Sequence, residues 1–437
     1  MKKLTSYFTQ AAKQLIYKNV DPVIQKQIRK KDRYIKELQE GIHGLQDRND
    51  EWEREVRELR RENEPLHIIL PVSKKDLLHA VIGRLPIEDN KRHIQPDPNS
   101  PKIISWVIPP MGPISGGHIT IFRTISSLER RGYICRVYIY DPLQTTTLDE
   151  IKNNILHYTP IKADVVYVEE EIEQCDILFA TNWHTAYPVY NSSATSIKFY
   201  FIQDFEPMFD PSGSYSTFAE NTYKFGFHGI TLGSWMKQRL ENDYDMKVDN
   251  FDLRVDKAEY NFHNRGERKK ICFYARPVTP RRGFEIGILA LEAFHKEHPE
   301  YEIHLVGWDV SRFDDIGFEY INHGIMNDMA KLNDLYNECI VGLVLSFTNM
   351  SLLPIEMMAA GCIPVVNDAN HTRSVGYSKY IEYALPTPTQ LAEGIYRAVL
   401  RASDKEYIEQ MSEYATEFTW EDFEEDLDKI IRCKLRI

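Results

Sequence analysis

The sequence predicts an α/β fold: two Rossmann-like domains facing a cleft, preceded by an N-terminal helical coiled-coil extension. Three observations carry that reading. Ile103-Ile-Ser-Trp-Val-Ile108 is a continuous apolar run, as a strand buried on both faces requires, and a Pro/Gly/Ser loop over 109–117 leads from it into a helix over 118–131. A second apolar run, 340–345, is followed by a polar loop over 346–350 and by a helix with Ser351 at its cap, Pro354 in its first turn and Gly361 just past its end. Ahead of both, residues 28–63 carry a heptad register.

In that register Ile28, Ile35, Ile42, Asn49, Val56 and Asn63 fall at a, and Leu38, Leu45, Trp52 and Leu59 at d, with Lys31 the d-position exception. β-Branched residues at a, Leu at d and Asn at a favour a parallel two-stranded coiled coil. Arg48 and Glu55 at g would then face Glu53 and Arg60 at e of a second chain, so a homodimer through 24–63 is expected. Residues 3–18 form a smaller amphipathic helix whose charged side chains, with Lys2 just before it, are all lysines; it suits either a membrane-surface contact or an extension of that interface. The charged, Pro-containing stretch 65–101 reads as a linker, and 1–64 as the oligomerisation region.

Bulk properties narrow the function. A chain of 437 residues has room for several cored domains, and a net charge of −12 argues against a general affinity for nucleic acid. The six cysteines are scattered through apolar runs, as in a cytoplasmic protein with reduced thiols. No apolar run approaches the ~20 residues of a membrane span, and no secretory signal is read. Peripheral contact at the inner face of a membrane stays open through residues 3–18. Cys/His spacing for zinc, a P-loop and the dinucleotide fingerprint are all absent; Asp243-Tyr-Asp245 follows a polar helix and reads as a solvated turn, so no metal site is expected.

The chemistry concentrates in the 340–364 unit. A strand–loop–helix turn of this kind presents free backbone N–H groups to a phosphate, here those of Leu352 and Leu353, and leaves the Glu356 carboxylate for a neighbouring hydroxyl. Ser351-Leu-Leu-Pro-Ile-Glu-Met-Met-Ala-Ala-Gly-Cys-Ile-Pro364 resembles the donor-site signature of retaining glycosyltransferases with the GT-B fold. Glu356 matches the second Glu of that signature, and Thr348 stands where the family has its first. Phe273-Tyr-Ala-Arg276-Pro-Val-Thr-Pro-Arg-Arg282-Gly283 resembles the family's cationic pair on the donor diphosphate, with Arg281 or Arg282 for the usual Lys; Arg282, which precedes the Gly, is preferred. A planar guanidinium binds phosphate oxygens in pairs where an ammonium acts as a point charge. Ile303-His-Leu-Val-Gly307 resembles the strand and Gly before the family's base-binding loop.

Gly116-Gly117 at the first strand-to-helix turn corresponds to the place where GT-B enzymes bring backbone close to the donor. Phe201-Ile-Gln-Asp204-Phe-Glu206 puts carboxylates at the end of a strand over 196–202, and His228 is weighed as a structural histidine. Residues 199–240 are similar to bacterial rhamnosyltransferases that build surface-layer glycans and O-antigen-type polysaccharides from dTDP-rhamnose. The resemblance implies a metal-independent, retaining hexosyltransferase without a cofactor. Its donor would be dTDP-rhamnose or another nucleotide sugar, and its acceptor a glycan or lipid-linked glycan. The implied catalytic residues are Thr348, Asp204 and His118; the implied donor contacts are Arg276, Arg282, Leu352, Leu353, Glu356, Gly117 and Gly307. The acceptor would pass Gly117, His118, Asp204 and Glu206. Expected domains are 102–260 for the acceptor, 261–405 for the nucleotide sugar, and 406–437 as a helix returning to the first. Two other readings are a nucleotide-sugar 2-epimerase of the same fold and a non-enzymatic coiled-coil assembly factor with a degenerate transferase domain.

Overall fold

The computed structural model describes residues 30–31, 68–82, 101–112, 115–168, 171–194, 196–252, 255–373, 378–417 and 419–436. The chain divides into two compact units, Met1–Ile69 and Leu70–Ile437. Of the first, Lys30 and Lys31 are helical; the expected coiled coil over 24–63 and the helix over 3–18 otherwise lie outside the described residues.

The second unit holds two parallel sheets. A short helix, α1 (Lys74–His79), is followed by β1 (Ile103–Ile108), α2 (Gly116–Arg130), β2 (Ile134–Ile139), α3 (Leu148–Ile155), β3 (Asp164–Tyr167) and β4 (Ile177–Ala180). Then come α4 (Trp183–Asn191), β5 (Ile197–Ile202), α5 (Ser214–Thr222), β6 (His228–Leu232), α6 (Ser234–Tyr244) and β7 (Val248–Phe251). The second sheet is built from β8 (Lys270–Tyr274), α7 (Phe284–Glu297), β9 (Glu302–Val306), β10 (Tyr320–Gly324), α8 (Met329–Glu338) and β11 (Cys339–Val344). It is completed by α9 (Leu353–Ala359), β12 (Ile363–Asn367), α10 (Asn370–Arg373), β13 (Glu382–Ala384) and α11 (Pro388–Arg401). Two helices close the chain, α12 (Lys405–Ala415) and α13 (Trp420–Leu435).

Strand order is β3-β2-β1-β4-β5-β6-β7 in one sheet and β10-β9-β8-β11-β12-β13 in the other, and every strand pairing among the described residues is parallel. The order reverses between β1 and β4 and again between β8 and β11. At such a switch point adjacent loops leave in opposite directions and open a crevice beyond the carboxyl ends of the strands. Helices cover both faces, so the central strands are mostly apolar: Ile104, Trp106, Val107 and Ile108 are fully buried, as are Val341, Leu343 and Val344.

Packing fixes the helices closely. Gly287 in α7 lies against the Phe273 ring of β8, where an added Cβ would sit 2.1 Å from Cζ. Part of the stretch read as a linker is structured: Ser73 caps α1, its N–H donates to the Tyr140 hydroxyl at 2.8 Å, and that hydroxyl donates to Asp76 at 2.7 Å. Helix α13 packs on α2: Ser127 Oγ donates to Glu424 at 2.7 Å, Arg130 pairs with the same carboxylate at 3.0 Å, and Tyr133 donates to Asp428 at 2.7 Å. Phe423 lies edge-on to Phe251, with ring centroids 4.8 Å apart.

Candidate functional site

The loop after β11 is held at every residue from 346 to 349. The Ser346 N–H donates to Asn367 Oδ1 and its carbonyl accepts from Asn367 Nδ2 and from the His371 ring, each at 2.8 Å. Ser346 Oγ donates to the Asn349 carbonyl, and Phe347 N donates to the Arg281 carbonyl at 2.9 Å. The loop's far side docks on the first sheet. Thr348 Oγ1 donates to Asp204 Oδ2 at 3.0 Å and Asn349 N donates to Asp204 Oδ1 at 2.8 Å. Asn349 Nδ2 reaches the carbonyls of Gln203 and Leu232, both at 3.1 Å. Two residues assigned to catalysis from sequence, Thr348 and Asp204, are therefore brought together from different sheets. Thr348 is buried, 1% exposed, and its hydroxyl is committed to Asp204.

Three guanidiniums gather beside this contact. Arg276 is oriented by Thr279 Oγ1 and the Tyr274 hydroxyl, both at 3.1 Å, and Arg282 donates to Ser346 Oγ at 3.1 Å. Arg281 lies 3.5 Å from Asp204 and stacks over Phe209, its guanidinium carbon 4.0 Å from the ring centroid. Burial pulls the Arg282 pKa down; Asp204 opposes that, and Arg281 and Arg276 add to it. Like charges held close in a partly dry site, with one carboxylate among them, form a site for an anion.

Across the loop, α9 begins without a side-chain cap. Leu352 takes the cap position, so the expected Ser351 cap is not made; Ser351 Oγ is buried without a hydrogen-bond partner. Pro354 has no N–H, and among the described residues the N–H groups of Leu352 and Leu353 have no main-chain acceptor. Glu356, in the first turn, is pushed up to about 8, first by burial and then by the Glu259 carboxylate, with Arg123 opposing. Arg123 of α2 is the bridge here: it pairs with Glu259 at 2.9 Å, approaches Asp256 at 3.8 Å and lies over the Trp420 ring at 5.1 Å. No motif pointed to Arg123 or Glu259, because their roles exist only once α2, α13 and the interdomain segment meet.

The glycines fall at close approaches. Gly307 has φ +115°, and a Cβ there would lie 2.8 Å from the Tyr274 ring, the ring whose hydroxyl receives Arg276. The Gly117 carbonyl accepts from Gln203 Nε2 at 3.1 Å. His118 stands one residue on, its Nδ1 3.1 Å from Ser115 Oγ, with burial lowering its pKa to about 4 while the Pro109 carbonyl opposes.

Glu206 is not on an acceptor path. It is 4% exposed, accepts from the Trp183 N–H at the start of α4 and from the Tyr200 hydroxyl at 3.1 Å, and burial lifts its pKa to about 8. The apolar strand placed it beneath the surface, where it caps α4. His228 pairs with Asp249 at 2.7 Å at the opposite end of the sheet. Asp243 pairs with Arg239, and Asp245 is the left-handed cap of α6. Beside the first sheet's carboxyl edge, a cavity of about 950 Å³ opens between α1, β2, β3 and α4, with Tyr140, Asp141, Thr146 and Tyr167 among its walls.

Two parallel-sheet α/β domains meeting at their switch points make this a protein of the GT-B fold. The family model described as WsaF, C-terminal domain, matches residues 269–396. The O-antigen biosynthesis protein RfbC of Myxococcus xanthus is 32% identical over 318 residues, 68% of this chain. Those residues span 24% of that longer protein. Among solved structures, S. aureus TarM (a G117R mutant in complex with Fondaparinux, alpha-GlcNAc-glycerol and UDP) superposes with a TM-score of 0.58 at 10% identity, covering 72% of this chain and 96% of that one. The pneumococcal O-GlcNAc transferase GtfA, in complex with UDP and GlcNAc, gives 0.55 at 10%, covering 77% and 99%. Among the described residues no helix is long and apolar enough to cross a membrane.

Proposed function

We propose that the chain is a glycosyltransferase that moves rhamnose from dTDP-rhamnose onto a growing bacterial surface glycan, with retention at the anomeric carbon. The observation that carries the reading is the gathering of Arg276, Arg281 and Arg282 beside the 346–349 loop at the second sheet's switch point, with α9 starting just beyond that loop. Arg276 and Arg282 hold the diphosphate, the Leu352 and Leu353 N–H groups its outer phosphate, and Glu356 the O3′ hydroxyl of the nucleotide. The Gly307 turn gives room for the base. The likeness to an O-antigen biosynthesis protein supports a polysaccharide product.

In the step itself the bond between the anomeric carbon and the diphosphate oxygen breaks, and its electron pair stays on the phosphate. The acceptor hydroxyl forms the new bond on the same face, and its proton passes to the departing phosphate oxygen. Guanidiniums whose attraction grows as that charge develops stabilise the transition state more than the ground state, and they supply positive charge without a metal. Asp204, 3.0 Å from Thr348 Oγ1, brings from the first domain the carboxylate that position 348 lacks. The acceptor glycan enters past Gly117, His118 and Asp204, and residues 24–63 pair two chains. Calorimetric titration with dTDP, UDP and GDP in EDTA tests the donor site: dTDP is expected to bind most tightly without metal. A preference for UDP or GDP would overturn the rhamnose assignment, and no binding would overturn the enzyme.

A further inference from the structure

At the amino end of the first sheet, opposite the carboxyl ends that carry Asp204, a second pocket of about 520 Å³ opens where β5, β6 and β7 begin. Lys198, Lys224, Lys247 and Lys434 line it, against one lining carboxylate, Asp245. The four come from separate parts of the chain: β5, the segment after α5, the start of β7 and the last turn of α13. Other acids nearby are already engaged. Asp249 holds His228 at 2.7 Å, and Glu220 holds Lys224 at 3.4 Å. Among the described residues Lys247 and Lys434 form no ion pair, and both stand close enough to His228 to disfavour its protonation.

Lys198 is the informative member. It is only 7% exposed, and its ammonium donates to two main-chain carbonyls, Tyr190 O at 3.0 Å and Ser192 O at 3.1 Å, with no carboxylate in pairing distance among the described residues. Burial without a carboxylate partner drags its pKa down to about 8. Both carbonyls lie at the C-terminal end of α4, so Lys198 also satisfies acceptors that the helix leaves open.

We propose that this pocket binds a phosphate or pyrophosphate group carried on a larger body, with Lys198, Lys247 and Lys434 as its cationic ligands. A compact, multiply charged anion matches several converging point charges, which is how lysines bind phosphate. The volume exceeds that of a lone phosphate, and the Tyr244 ring beside Lys224 (5.8 Å from the ammonium to the centroid) offers a flat wall for the attached group. The same chemistry is presented by a soluble phosphorylated compound and by an anionic lipid headgroup. The inference does not depend on the donor-site reading, because the two sites lie at opposite ends of the first sheet's strands.

The test uses the full chain carrying Arg282→Ala, which weakens pyrophosphate binding at the donor site. Calorimetry with sodium pyrophosphate at low salt reads one arm; sedimentation with phosphatidylglycerol vesicles, against phosphatidylcholine vesicles, reads the other. Binding in either arm that falls at least tenfold on adding Lys247→Glu and Lys434→Glu supports the pocket, and the responding arm identifies the source of the phosphate. Lys198→Met is expected to weaken the same arm while lowering the melting temperature, because it leaves the Tyr190 and Ser192 carbonyls without their donor. Absence of binding in both arms, or binding unchanged by the lysine substitutions, overturns the proposal. dTDP titration of Lys247→Glu/Lys434→Glu with Arg282 intact separates the two sites, since its affinity is expected to stay within twofold.

Discussion

Asp204 and Thr348 sit 144 residues apart in sequence and 3.0 Å apart in space, the carboxylate of one accepting the hydroxyl of the other across the two sheets. The same carboxylate takes the Asn349 N–H at 2.8 Å and faces Arg281 at 3.5 Å, so one side chain ties the first domain to both loops of the anion site. Asp204→Ala leaves the Asn349 N–H and the Thr348 hydroxyl without their acceptor in a nearly dry contact, at a cost of about 1–3 kcal/mol. The expected result is a lower melting temperature together with faster amide exchange at 346–350. Thr348→Val, which removes only one donor, is expected to cost less. Equal stability of wild type and Asp204→Ala would show that the contact does not hold the domains.

The same relationship explains why position 348 departs from the carboxylate of the resembling family. Thr348→Glu would set two carboxylates within hydrogen-bond distance, and like charges so placed cannot both ionise without repulsion. Transfer activity is expected to fall at least tenfold. Adding Asp204→Asn is expected to recover part of it, so the double-mutant cycle should show strong coupling. Additive effects would separate the two positions.

Burial raises both Glu356 and Glu206 to about 8. The folded chain therefore holds protons there that the unfolded chain has released above about pH 4.5. The corresponding stability is complete below pH 4.5 and is lost as pH rises through about 8. Glu356→Gln and Glu206→Gln should each flatten that loss, by on the order of 1–3 kcal/mol over the window. Nucleotide titration then distinguishes them: weaker dTDP binding is expected for Glu356→Gln alone, because Glu206 is buried against the Trp183 N–H and the Tyr200 hydroxyl. If both variants bind dTDP as the wild type does, Glu356 does not hold the nucleotide.

Arg282 is the cation most committed to the loop. Arg282→Ala is expected to lower kcat roughly 10²–10³-fold, as loss of a donor to developing charge does elsewhere. Arg282→Lys should recover part of the donor affinity, since it keeps the charge, and less of kcat, since it loses the paired geometry. Identical behaviour of the two variants would make the shape of the guanidinium irrelevant.

Gly287→Ala tests packing apart from chemistry. Its Cβ would fall 2.1 Å from Phe273 Cζ, and a shift of α7 or the ring is expected to cost about 1–3 kcal/mol. Adding Phe273→Leu should return part of the melting temperature by making room; no rescue would place the strain elsewhere.

The strands were legible in sequence where burial on both faces left only apolar residues, as in 103–108 and 340–345, and Pro354 and Gly361 bracketed α9 closely. The GT-B fold follows from the same runs and from their order. Less legible were short strands such as β3, whose residues alternate in exposure, and helix α1, whose footing on Tyr140 is a tertiary contact. In the site, Arg276, Arg282 and Glu356 are singled out by the resemblance of 273–283 and 351–364 to the glycosyltransferase motifs. Arg123, Glu259 and Asn349 are not, since each acts on a residue far along the chain. Glu206 misled because depth beneath a surface has no sequence signature.

Helix α13 has a consequence for how the protein is made. It is synthesised after the whole second domain, yet Phe423, Leu427 and Ile431 are buried, and its Glu424 and Asp428 bind Ser127, Arg130 and Tyr133 of the first domain. On a ribosome the first domain emerges early but waits with that apolar face uncovered while the whole second domain is translated. The first domain is thus completed only after the second, and the nascent chain has a built-in interval in which a chaperone, or premature association, competes for the surface that α13 will cover.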